Sequence, residues 1–269
     1  MDPVLAIFVF IFGTIIGSFL NVVILRYGTG RSIGGRSMCA VTGKPLRWYE
    51  LIPIVSFIIQ GGRSRYTKTR LSIQYPLVEF FTGVAFLLVV LKFMPFMYFR
   101  PEVFLTNVLF YFFIMCYLIM IFVFDLRHKI IPDDFLYPLA IAVFLGVFCL
   151  PLFLGAPLTV HIIWPLLSGF IIALPLFVLW AITRGKGMGF GDVKLVIPLA
   201  WLIGLSSGFA MLLLSFWIGA VFAIFLLMFA NKKMKSEIPF GPFIIIAFSL
   251  VLLFNISMND ISAFFSAII

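Results

Sequence analysis

Long apolar runs constrain this chain more than any other feature. They fall at about 4–25, 77–95, 104–124, 135–154, 161–182, 193–205, 208–230 and 240–257. A helix needs roughly 20 mostly apolar residues to cross the hydrocarbon core of a bilayer. Within that core only helices and closed barrels satisfy their own backbone polar groups. The pattern predicts an all-α polytopic membrane protein with about eight transmembrane helices. The sixth run is short, so it is expected to begin before Asp192, to tilt, or to form a re-entrant pair with the seventh. Composition agrees: 11% of residues are charged and the mean hydropathy is +1.22, whereas a soluble domain carries roughly 25% charged residues. The first run has no basic flank before it, since Asp2 is the only charge ahead of Arg26. It is also too long for the apolar core of a signal peptide, so it is expected to stay as an anchor.

The net charge of +9 is not spread evenly. Of the 19 Lys and Arg residues, nine lie from Arg26 to Arg70, two are Arg127 and Lys129, three are Arg184, Lys186 and Lys194, and three lie from Lys232 to Lys235. Only Lys92 and Arg100 fall in loops of the opposite parity. Basic short loops mark the cytoplasmic side. Both termini are therefore expected outside, with the 26–76 stretch cytoplasmic. The same distribution accounts for the basic balance without nucleic acid, which is not expected as a partner. The lipid bilayer is.

One membrane domain over 1–269 is expected, with 26–76 as a cytoplasmic loop insertion. Leu51–Ile59 in that insertion is apolar but too short to span, so it should pack as an interfacial or buried segment. In the first run Gly13 and Gly17 stand at the spacing of close helix packing, followed by Ser18 and Asn21. Asn21 is a candidate for shaping a site near the cytoplasmic surface. Cys39, Cys116 and Cys149 are the only cysteines. They build neither a disulfide framework nor a paired zinc knuckle.

The 10 acidic residues can be weighed one by one. Glu79, Asp125, Asp133 and Asp192 need an account. Asp125 follows the apolar Ile121–Phe124 at a helix end, where the helix dipole disfavours an acid. An acid set against both dipole and apolar wall is a candidate functional group, although pairing with Arg127 or Lys129 would explain it too. Asp133 and Asp134 follow Pro132 and suit the cap or first turn of a helix. Asp192 ends a run with glycine at 185, 187, 189 and 191, which lets another backbone approach and lets this one stay extended. Two membrane crossings separate Asp125 from Asp192, so both should lie at one face. Two carboxylates in one low-dielectric pocket can share a proton. One then activates water while the other donates, which is aspartic peptidase chemistry.

The stretch Gly189, Gly191, Asp192 and Lys194 resembles the GxGD motif of type IV prepilin peptidases. Phe124, Asp125, Ile131, Pro132 and Asp133 resemble their first aspartate motif. Gly17–Val22 with Arg26, the Trp48–Pro53 stretch, Tyr75–Glu79 and Ile238–Pro242 resemble further family segments, in order along nearly the whole chain. The resemblance implies an intramembrane aspartyl endopeptidase of the bacterial plasma membrane, with Asp125 and Asp192 as catalytic pair. It implies cleavage of the basic leader of type IV prepilins or pseudopilins, followed by N-methylation with S-adenosylmethionine. Gly189, Gly191, Lys194, Asn21 and Glu79 are expected to shape the site. Many members hold two Cys-x-x-Cys pairs in the first cytoplasmic loop. Here Cys39 is followed at that spacing by Thr42, and Ser64 and Thr67 stand for the second pair. One thiol cannot make a four-coordinate zinc site, so no zinc is expected. A peptidase without methyltransferase activity is the alternative. An ion-coupled transporter is a further rival, but it would call for acids near the midplane and inverted repeats.

Overall fold

The computed structural model describes residues 2–32, 34–35, 38, 45–65, 67–150, 160–229 and 238–266. Cys39 and Thr42, on which the zinc expectation turns, lie outside the described residues, as do Lys232–Lys235. The described chain is helical, and it falls into two compact units, 1–120 and 121–269.

The first unit is built on α1 (Pro3–Arg26), the short α2 (Val55–Ile59), α3 (Gln74–Phe93), α4 (Phe96–Phe99) and the first part of α5 (Pro101–His128). Asp2 caps α1 by accepting the Val4 N–H, and Pro3 suits the first turn. Gly13 and Gly17 do what their spacing predicts: a Cβ on Gly13 would stand 2.7 Å from Gly83 Cα, and one on Gly17 would stand 2.8 Å from Glu79 Cα. α1 and α3 therefore touch backbone to backbone, where larger residues would force them apart. Below that contact Phe86 stacks on Phe112 with ring centroids 3.8 Å apart, and Phe93 meets Tyr111 at 5.0 Å. The outer face of α1 carries Val4, Ile7, Phe8 and Ile11, all exposed. A row of large apolar side chains facing outward is the signature of a lipid-facing helix.

The 26–76 stretch contains a 3₁₀ turn at Trp48–Leu51 and α2. Glu50 closes the turn by accepting the Arg47 N–H at 2.8 Å. Ile58 and Ile59 of α2 are exposed, in line with an interfacial segment.

The second unit holds the end of α5, then α6 (Asp133–Phe144) with a π-turn at Leu145–Cys149, α7 (Val160–Thr183), α8 (Phe190–Phe229), α9 (Gly241–Phe254) and α10 (Met258–Ser266). Trp201 of α8 locks α7 in place: its indole N–H donates to the Leu166 carbonyl at 2.9 Å, and its ring meets Phe144, Phe148 and Phe170. Phe216 and Phe222 of α8 meet Phe240 and Phe243 at the start of α9. The α9 helix is thereby held against α8.

Where the residues are described, each expected apolar run falls largely on helix. Among the described residues five helices are long and apolar enough to cross a membrane, or six if the bent pair α9 and α10 is one span. Two features separate that count from about eight. Runs six and seven are continuous in α8, a 40-residue element broken only at Gly204 (φ 78, ψ −178). At about 1.5 Å per residue it is roughly twice the length of a bilayer core, so the glycine is where one helix becomes two. The fourth run is described only as far as residue 150, as a 12-residue helix followed by a π-turn, and its last residues lie outside the described ones. The sixth run does begin before Asp192, at Phe190.

Candidate active site

Asp125 lies in the last turn of α5. The chain reverses directly after it: the Lys129 N–H donates back to the Asp125 carbonyl at 2.8 Å, and Lys129 itself takes the left-handed φ of 57. This reversal returns Ile131 toward the carboxylate. Asp192 lies in the first turn of α8, and its N–H donates to the Gly189 carbonyl at 3.2 Å. The glycine run is therefore a series of turns and bends that enters helix at Phe190, not an extended strand. It starts the helix where the dipole favours an acid.

Both carboxylates are buried. Asp125 is 3% exposed and Asp192 7%, so Asp125 is no solvated boundary residue. Both border one open cleft of about 540 Å³, together with Gly189, Lys194, Ile131 and Phe240. Asp125 Oδ2 is buried without a hydrogen-bond partner among the described residues. A carboxylate oxygen left this way normally costs stability, and such groups gather at sites of chemistry.

The glycines of the motif act by closeness. A Cβ on Gly191 would stand 3.0 Å from Ile131 Cβ, and one on Gly189 3.6 Å from Asp192 Oδ2. Ile131, which sequence reasoning noted only as part of a motif, thus wedges between the two acid-bearing segments. Lys194 forms an ion pair with Asp133 at the cleft rim, and its ammonium lies 5.5 Å from the centre of the Tyr137 ring. The capping expectation for Asp133 needs correction in part. It does occupy the first turn of α6, but Pro132 is the cap residue and no side-chain capping bond forms. The Asp133 carboxylate is drawn instead to the cation that the fold brings beside it. Gly241 was also missed as a site residue. Its motif was legible, but its position against Asp125 was not.

Asn21 and Glu79 belong to the first unit. The Asn21 amide donates to the Tyr75 carbonyl at 3.1 Å, and Gln74 donates to Asn21 at 3.3 Å. Glu79 is 7% exposed and accepts the Ile54 N–H at 2.7 Å. Of the two loop positions that stand for the second cysteine pair, Ser64 is buried, and the Thr67 hydroxyl pairs with Thr69 at 2.7 Å.

Comparison with known proteins places this geometry in a family. Residues 11–93 match the Bacterial Peptidase A24 N-terminal domain, and residues 112–224 match the Type IV leader peptidase family. A prepilin leader peptidase/N-methyltransferase of Xanthomonas campestris pv. campestris is 32% identical over 87% of this chain and 86% of its own. Proteins of the same description from Aeromonas salmonicida (30% identical, 93% of this chain and 91% of theirs) and Bacillus subtilis (30%, 87% and 88%) are similarly related. No solved structure matches. Two family matches in chain order, relatives aligned nearly end to end, and buried acids at the GxGD motif lead to one conclusion: this chain is an all-α membrane peptidase that belongs to the type IV leader peptidase family.

Proposed function

We propose that this chain cleaves the basic leader from type IV prepilins or pseudopilins at the cytoplasmic face of the bacterial inner membrane, with Asp125 and Asp192 as the catalytic pair. The observation that carries the reading is the pair itself: two buried carboxylates on one cleft, one with an unpartnered oxygen. In this reading the carboxylates hold one proton between them. The ionised member takes a proton from water as that water attacks the scissile carbonyl. The protonated member donates to the carbonyl oxygen, and the proton then passes to the leaving amine as the C–N bond breaks. No metal or covalent intermediate enters. Lys194 is held at the rim by Asp133, where it can orient polar groups of the bound peptide. The positive-inside distribution supports cytoplasmic placement of 26–76 and of both acids, with both termini outside.

Methylation of the new N-terminus is the second part of the proposal. S-adenosylmethionine, when bound, supplies an electrophilic methyl group to an amine. Of the loop's aromatic pair, Tyr49 is engaged through its hydroxyl by Arg47 and Arg65. Trp48 meets it edge-on and is 77% exposed. The Trp48 ring face is thus the one available to stack an adenine.

The test is mass spectrometry of a prepilin incubated with purified enzyme and S-adenosylmethionine. Leader loss with a gain of one methyl group supports both steps. Leader loss alone reduces the chain to a peptidase, the outcome that the replaced cysteines favour. No cleavage overturns the reading.

A further inference from the structure

The first turn of α9 has one backbone donor to spare. The initial N–H groups of any helix lack intrahelical partners. In this helix, 14 residues long, Pro242 has no N–H, while the Phe243 and Ile244 N–H groups both donate to the Phe240 carbonyl at 3.0 and 3.3 Å. Phe240 provides no side-chain cap. That leaves the Gly241 N–H at the helix start, and Gly241 itself packs directly against Asp125. An independent observation points to the same spot. Asp125 is 3% exposed, its Oδ2 lacks a hydrogen-bond partner, and a Cβ on Gly241 would stand only 2.5 Å from that oxygen. The same Cβ would stand 3.2 Å from Ile131 Cδ1.

We propose that Gly241 is a positioning residue for the catalytic pair: its missing side chain leaves Asp125 Oδ2 room to take up and release a proton. This rests on the reading of Asp125 and Asp192 as catalytic. The physical case is one of space. Any side chain at 241 would push against the carboxylate itself. Misplacement of a reacting group by about 1 Å can cost 100-fold in rate.

The test measures leader cleavage by full-length variants in detergent. Gly241→Ala should lower kcat about 100-fold and leave KM within about threefold, because the peptide still binds. Adding Ile131→Val should not restore the rate, since the obstacle is the carboxylate. Gly219→Ala is the control: its Cβ would meet the Phe243 ring of α9 at 3.3 Å, away from the acids, and kcat should stay near wild type. Should Gly241→Ala fail to fold, the double variant Gly241→Ala with Asp125→Ala removes the obstructed carboxylate and should fold like Asp125→Ala alone. Wild-type kcat in Gly241→Ala, rescue by Ile131→Val, or a double variant that still fails to fold overturns the proposal. Asp125→Asn and Asp192→Asn, assayed alongside, separate the two failures. If both Asn variants still cleave, the catalytic pair is wrong. If both are dead while Gly241→Ala cleaves normally, only the role of Gly241 falls.

Discussion

Each unit buries an acid, and the two are treated in opposite ways. In the first unit Glu79 accepts the Ile54 N–H. It holds a β-branched residue at φ 60, a conformation such residues rarely adopt. The carboxylate is spent on structure. In the second unit Asp125 is more buried, and one of its oxygens is left without a hydrogen bond. A fold that merely tolerated an acid would pair it, as it pairs Glu79. The difference teaches that burial alone does not mark chemistry. The proposal that Asp125 acts in chemistry rests instead on burial with an acceptor held open beside a second acid on a cleft.

The largest expected effect falls on the open pair. Asp125→Asn and Asp192→Asn should each lower leader cleavage by about 1,000-fold or more, the scale of acid–base loss. Thermal stability in detergent should change little. An Asn variant that cleaves at wild-type rate would break the comparison at its stronger end.

Glu79 should respond in stability instead. Glu79→Ala leaves the Ile54 N–H without its acceptor and should cost about 1–3 kcal/mol, read as a lowered unfolding midpoint. Glu79→Gln keeps an amide oxygen as acceptor and should retain most of that stability and the cleavage rate. If Glu79→Gln is as inactive as the aspartate variants, Glu79 belongs with the chemistry, and the contrast between the units fails.

The smallest effect concerns the rim pair. Lys194 is 24% and Asp133 48% exposed at the side chain, so solvent screens their attraction. A double-mutant cycle with Lys194→Met and Asp133→Asn should give a coupling of about 0.2–1 kcal/mol in stability. Cleavage should fall several-fold in either single variant, and not much further in the double. Additive losses would show that the two residues act separately.

Much of the fold is legible because membrane spans need only local information. Apolar length, the Gly13 and Gly17 spacing and the acid at each motif can be read without knowing what packs where. The count of spans was less legible. One apolar run can end where the next begins, and in α8 a single glycine at Gly204 decides whether two runs are one helix or two. Capping was misjudged at Asp133 for a related reason. Sequence placed it at a helix start, but its partner Lys194 is 61 residues away.

The sequence by itself determined the class of molecule, the two aspartates worth proposing and the family they belong to. Each of those rests on composition or on short contiguous motifs. Only the tertiary structure decided that Asp125 keeps an open oxygen while Glu79 does not, that Ile131 fills the gap beside Gly191, and that Gly241 stands against Asp125. The last two depend on segments 60 residues apart (131 and 191) and 116 apart (125 and 241) packing so closely that an added Cβ would stand within about 3 Å of its neighbour. No local pattern encodes that approach; it follows from how the helices pack.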